Sequence, residues 1–134
     1  MSFDIINPDS LAAPKGWNHG LRAPAGGRLL FIAGQAGWET AMAGEPPGFV
    51  AQFGLALDKV LAVLRAAGGE AAHVGRMTVY VTDLAVYQAS RQALGEVWRT
   101  RFGRHYPAMA LVEVSGLVDR GAMVEIEATA VLDA

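Results

Sequence analysis

Cysteine is absent from all 134 residues, which removes disulfides, thiolate nucleophiles and cysteine-ligated metals together. An excess of one charge is lacking too: 11 lysines and arginines face 13 aspartates and glutamates, for a formal net charge of −2. Sequence-independent nucleic-acid binding needs a positive field that releases condensed counterions, so no nucleic-acid partner is expected. Arg99, Arg101 and Arg104 cluster, but at the end of an expected helix, where cations complement the carbonyl end of the dipole. Apolar runs are broken by Gly, Asp, Lys or Arg well before membrane-spanning length. The start, Met1-Ser2-Phe3-Asp4, has neither a basic nor an apolar leader region, so a cytoplasmic protein without a membrane partner is expected. His19, His73 and His105 have no paired ligand spacing, so no metal and no cofactor are expected. Ser90 and Ser115 lie in no nucleophile elbow, and Gly26-Gly27 precedes a strand rather than the helix a phosphate loop requires.

What the chain does have is apolar mass. Hydrophobic residues make up 52% and charged residues only 18%, a large apolar share for a single domain spanning residues 1–134. The surplus is expected at subunit contacts, which points to an oligomer.

The order of elements reads β-β-β-α-β-α-β-β. Phe3 to Asn7 is a short strand closed by Asn7-Pro8, and Gly20-Leu21-Arg22-Ala23 is a second. Arg28 to Gly34 is apolar on both faces, as a strand buried on both sides would be. Phe53, Leu57, Val60, Leu61 and Leu64 recur at helical spacing before a Gly68-Gly69 stop. Val74 to Thr82 alternates, with Met77, Val79 and Val81 on one face. Asp83 caps a second helix striped with Leu84, Tyr87, Leu94, Val97, Trp98 and Phe102. Pro107 to Val114 and Met123 to Leu132 close the chain as strands. Val124, Ile126, Ala128 and Ala130 suit the face under the helices, which sends Met123, Glu125, Glu127 and Thr129 to the other. The class is α+β, one mixed sheet with two helices on one face.

The stretch Tyr106-Pro107-Ala108-Met109-Ala110-Leu111-Val112-Glu113-Val114, with Val124-Glu125-Ile126-Glu127-Ala128, Gly34-Gln35 and Val79-Tyr80-Val81-Thr82-Asp83-Leu84, resembles the RidA/YjgF family. These are the imine and enamine deaminases also labelled L-PSP endoribonucleases. The resemblance runs from Ile5-Ile6-Asn7-Pro8 to Val131. It implies a chorismate-mutase-like fold, assembled as a homotrimer with small-molecule clefts between subunits. It also implies hydrolysis of a 2-imino or enamine acid to a 2-keto acid and ammonia.

Residue by residue, the same resemblance marks the site. Two positions after the proline the family usually carries an arginine that grips the substrate carboxylate; here that position is Met109, without charge or donor. Glu125 matches the acidic residue that orients or activates water, whereas Glu127, on the same face, is expected to be structural. Gly34 and Leu111 match positions whose main-chain groups lie beside the anchor, so their roles survive the change. Trp17 falls where a tyrosine is common over the cleft, keeping an aromatic wall and losing a hydroxyl. Arg91 and Leu94 stand where asparagine and tyrosine are frequent, and Arg91 is a candidate replacement cation or else a solvated helix residue. Tyr80 and Trp98 are expected to pack.

Two functions of different class follow. One is a hydrolase for an imine, enamine or amide-like intermediate other than the usual 2-imino acids. The other is a non-catalytic metabolite-binding or regulatory trimer. With Glu125 kept and the arginine gone, the cleft is expected to favour neutral or cationic ligands. Ribonuclease activity is disfavoured by the acidic balance and the lack of a histidine pair.

Overall fold

A computed structural model describes residues 2–134; Met1, read above with the chain start, lies outside them. The strands are β1 (Asp4–Ile6), β2 (Gly20–Arg22), β3 (Arg28–Ala36), β4 (Val74–Val81), β5 (Ala108–Glu113) and β6 (Val124–Leu132). The helices are α1 (Phe49–Ala66), α2 (Leu84–Ala89) and α3 (Arg91–Phe102), with a 3₁₀ turn at Ala71–His73. The main sheet is mixed, in the order β3-β6-β4-β5, with only β4 and β5 parallel. The first two strands form a separate antiparallel ribbon rather than extending that sheet.

Alternation along β6 sets the two faces. Val124, Ile126, Ala128 and Ala130 are buried under α1, while Glu125, Glu127 and Thr129 point away. In β4 the buried set is Val74, Met77, Val79 and Val81. The odd step from 74 to 77 is absorbed by a register shift between Val74 and Arg76, around Gly75. Met123, expected on the outer face, instead packs against the core, because it precedes the first paired residue of β6 and is not bound by its alternation.

α1 lays Phe53, Leu57, Val60, Leu61 and Leu64 onto the sheet, all nearly or fully buried. Each such side chain contributes roughly 1.5–3 kcal/mol relative to exposure. The helix stops as its two glycines indicate. Gly68, at φ 83°, donates to the Arg65 carbonyl, and Gly69 donates to that of Leu64. These are the paired bonds of a Schellman motif, and the left-handed residue it needs is cheapest as glycine.

The second helix is two. Asp83 caps α2 by accepting from the Val86 amide at 3.2 Å. Ser90 then donates its hydroxyl to the Val86 carbonyl at 2.7 Å, and the chain turns before α3 begins. A serine that satisfies the end of the helix locally competes with continuing it. Leu94, Trp98 and Phe102 of α3 complete the core, with Trp98 and Phe102 stacked at 4.4 Å.

The expectation that β3 is buried on both sides is corrected within a single chain. Ile32 is buried and Leu30 half-buried, yet Leu29 is 62% and Phe31 75% exposed. The helix that covers β3 lies on one side, so among the described residues no helix covers Leu29 and Phe31 on the other.

A polar residue locks the loop region to this core. Gln52 of α1 is fully buried; its amide donates to the carbonyls of Pro47 and Gly121 at 3.0 and 2.9 Å, and its carbonyl accepts from the Met123 amide at 2.8 Å. Gln52→Leu keeps the volume and strands three backbone groups. The expected loss is at least about 3 kcal/mol of unfolding free energy, read from urea denaturation, since each buried unpaired group costs about 1–3 kcal/mol.

Candidate active site

A cavity of about 450 Å³ opens where β5, α3 and an N-terminal strap meet. Each wall has its own origin. On β5, the parallel register sets Met109 beside Met77 and Leu111 beside Val79. Both therefore share the helix-side face with core residues, and they are half-buried with their outer atoms toward the cavity.

The strap carries Trp17, which is held by asparagines. The Asn18 amide side chain donates to the Tyr106 carbonyl at 2.6 Å and accepts from that of Asn7 at 2.8 Å. Its main-chain amide donates to the Pro107 carbonyl at 3.1 Å, and the Asn7 side chain accepts from the His19 amide. Trp17 then meets His19 edge-on at 4.6 Å. The strap is thereby fastened to Tyr106 and Pro107, the residues that lead into β5.

α3 supplies the third wall. Leu94 and Trp98 form its floor, and Trp98 lies parallel to Tyr106 at 6.2 Å. The Trp98 indole donates to the His105 carbonyl at 3.1 Å, so this packing residue also shapes the cavity. Arg91 and Arg99 line the rim from the same helix, and Lys15 does so from the strap. Among the described residues no acidic side chain lines the cavity.

The structure thus brings Trp17, Arg91, Met109 and Leu111 to one cavity, and places Gly34 and Glu125 elsewhere. Those two meet on the opposite face of the sheet. A methyl group added at Gly34 would come within 2.5 Å of the Glu125 carboxylate, so the missing side chain is what lets the carboxylate lie over β3. Gly34 sits where the β3–β6 register shifts, between Ile32 and Gln35. Nearby, the Tyr80 hydroxyl donates to Glu127 at 3.1 Å. Desolvation, followed by that bond and the Glu127 charge, pushes the Tyr80 hydroxyl above its ordinary range.

The expected cluster of arginines is divided. Arg101 pairs with Asp58 at 2.7 Å, Arg104 is exposed, and Arg99 faces the cavity. That Arg99 shares a helix face with Arg91 was legible in one signal, though not that this face meets the cavity. Arg91, Gly95 and Arg99 are spaced four apart and so share one helix face. Among the described residues no group of three or more histidine and acidic side chains converges as a metal centre would require. No described helix is long and apolar enough to cross a membrane.

Comparison with known proteins gives one answer. The family described as Endoribonuclease L-PSP matches residues 8–132. Protein DfrA of Myxococcus xanthus is 37% identical over 106 residues, covering 78% of this chain and 77% of that protein. The 2-iminobutanoate/2-iminopropanoate deaminase of Capra hircus is 34% identical, covering 78% and 73%. Among solved structures, the Rid-family protein YyfB from Yersinia pestis superposes with a TM-score of 0.82 at 31% identity, over 98% of this chain and 100% of that one. Escherichia coli TdcF with bound serine gives 0.68 at 26%, over 97% and 99%.

Asn18→Ala should free the strap without unfolding the domain. Two side-chain bonds of about 1 kcal/mol each are lost. Amide hydrogen exchange at Asn18 and His19 is expected to accelerate about tenfold or more, with α1 unchanged.

Proposed function

The chain belongs to the Endoribonuclease L-PSP family, and on that premise we propose that it is a Rid-type homotrimer that hydrolyses an imine, enamine or related amide-like intermediate other than the usual 2-imino acids. The observation that carries the reading is the division of the site. One chain holds an apolar cavity with Met109, Leu111 and Trp17, and holds Glu125 with Gly34 on the far face of its sheet. A second copy that brings its outer face against the β5 edge joins the two halves.

The outer face supports such an assembly. Leu29 and Phe31, two residues apart on β3, are exposed together on that face, an apolar pair of the kind that marks protein contacts. Named relatives support the chemistry, since several are 2-imino acid deaminases. The TdcF structure, with its bound serine, supports a small metabolite as the ligand.

In this reading water adds to the carbon of the C=N group. Glu125 of the neighbouring copy orients that water, takes its proton and returns it to the nitrogen, and collapse of the carbinolamine releases ammonia and leaves a carbonyl. The main-chain groups at Gly34 and Leu111 polarise the substrate beside the reacting carbon, and Trp17 shuts out solvent. What Met109 cannot do is fork a carboxylate. The loss of one partner of a desolvated charge pair costs about 2–5 kcal/mol, or on the order of 30-fold to several thousand-fold in binding. Small 2-imino acids, which have little else to hold, suffer most.

The alternative, a non-catalytic metabolite-binding trimer, separates from this by a single variant. Glu125→Gln should abolish turnover and leave the trimer intact if the chain is an enzyme, and should change affinity alone if it is not. Light scattering should return three chains per particle; a stable monomer would dissolve the shared cleft. Ammonia release from 2-iminopropionate generated in situ should be weak in the native chain and should rise at least about tenfold in Met109→Arg. Native activity equal to that of an arginine-bearing relative would refute the role given to Met109.

A further inference from the structure

Two of the three cations that line the cavity, Arg91 and Arg99, stand on α3, and the third, Lys15, on the strap. Arg91 opens the helix, whose first turn contains no acidic residue. A cation there opposes the helix dipole. Gly95 lies one turn on, mid-helix, where glycine is about 1 kcal/mol worse than alanine. Arg99 follows one turn later. The only helix-supporting ion pair on α3 among the described residues belongs to Arg101, with Asp58. Arg91 and Arg99 have no carboxylate partner among the described residues.

Arg91 and Gly95 are unfavourable for the helix, whereas Arg99 in the last turn suits its dipole; all three share the face turned to the cavity. Long side chains on a helix lean toward its N-terminus, so Arg99 lies back along α3 toward Arg91. Gly95 makes room for it: a methyl group there would stand 3.3 Å from the Arg99 guanidinium. The Cα atoms of Arg91 and Arg99 are about 12 Å apart along the axis. Two long guanidinium side chains with a bare backbone between them therefore border a single space. Opposite them stand Trp17 and Met109.

We propose that Arg91 and Arg99 form a two-guanidinium cradle for a carboxylate, and that the cleft selects acids with a flat apolar body over small imino acids. The anion is held on α3, and the body of the ligand spans the cavity to Trp17, Met109 and Leu111. An arginine fork recognises a planar carboxylate through parallel hydrogen bonds. An apolar body supplies the contact area that a three-carbon imino acid lacks. The inference rests on the cavity being the ligand cleft of the proposed function. It reverses the expectation of neutral or cationic ligands, which assumed that Glu125 and not arginine sets the charge of the cavity.

The test uses two isosteric probes, phenylacetate and phenylacetamide, titrated against the intact protein at low salt. Trp17 and Trp98 line the cavity, so intrinsic fluorescence reports binding directly. Phenylacetate should bind about tenfold more tightly than phenylacetamide, as expected for one added charge-assisted contact at a partly exposed site. Arg91→Gln and Arg99→Gln should each narrow that ratio to about threefold or less, chiefly by weakening the acid. Arg65→Gln, the same charge change at the far end of α1, should leave it unchanged. Equal binding of the two probes to the native protein overturns the cradle while the cleft stands. A preference for the acid that survives both arginine substitutions also overturns it, and again spares the cleft. No response to either probe removes the cradle and the cleft together. Unaltered urea midpoints of the exposed arginine variants exclude unfolding as the cause of any loss.

Discussion

Period-two alternation along β6 is the constraint from which the rest follows. This central strand is paired on both edges, to β3 and to β4, so its side chains have only two directions available. Val124, Ile126, Ala128 and Ala130 take one and build the core with α1. Glu125 and Glu127 take the other. A shift of one residue would place two carboxylates under the helix and four apolar groups in water. The strand therefore fixes at once where the core lies and on which side of the sheet the acidic groups stand.

The same two-sidedness governs β5. Its parallel pairing with β4 commits Met109 and Leu111 to the helix side, where α3 and the Asn18 strap enclose a cavity around them. A residue on β5 and a carboxylate on β6 are thus kept apart by the thickness of the sheet within one chain, however near they stand in sequence pattern. In the assembly proposed above, this separation is what makes the subunit contact the place of reaction. The exposed Phe31 and Leu29 on the carboxylate side then have a physical use, as the surface that brings the halves together.

Charge around the cavity follows from helix geometry. Four-residue spacing turns Arg91, Gly95 and Arg99 to one face, while Arg101, two residues beyond Arg99, turns to α1 and Asp58. Within one helix, one arginine pairs with Asp58 across to α1, and two stand at a cavity that no described acidic residue lines. Met109 on β5 brings no charge, yet the space is not uncharged; the positive side chains lie on other walls.

Most of the fold was legible in the residues. The 3.6-residue stripe of α1, the alternation of β4 and β6, the Asp83 cap and the Gly68-Gly69 stop are local patterns, and the backbone obeys them because propensity and burial agree there. The division of the second helix at Ser90 was not, since a serine inside an apolar stripe declares itself only by the bond it chooses. Nor was the exposure of Leu29 and Phe31: an apolar strand reads the same whether its cover comes from its own chain or another. Sequence by itself determined the elements, the core face and the candidate residues Trp17, Gly34, Arg91, Met109, Leu111 and Glu125. Tertiary structure alone decided that four of these share a cavity while Gly34 and Glu125 touch behind the sheet, and that Arg99 belongs with the four. The reason is physical. Periodicity gives each side chain a face, but which faces meet depends on strand order and crossover, which are set by contacts between segments far apart in the chain.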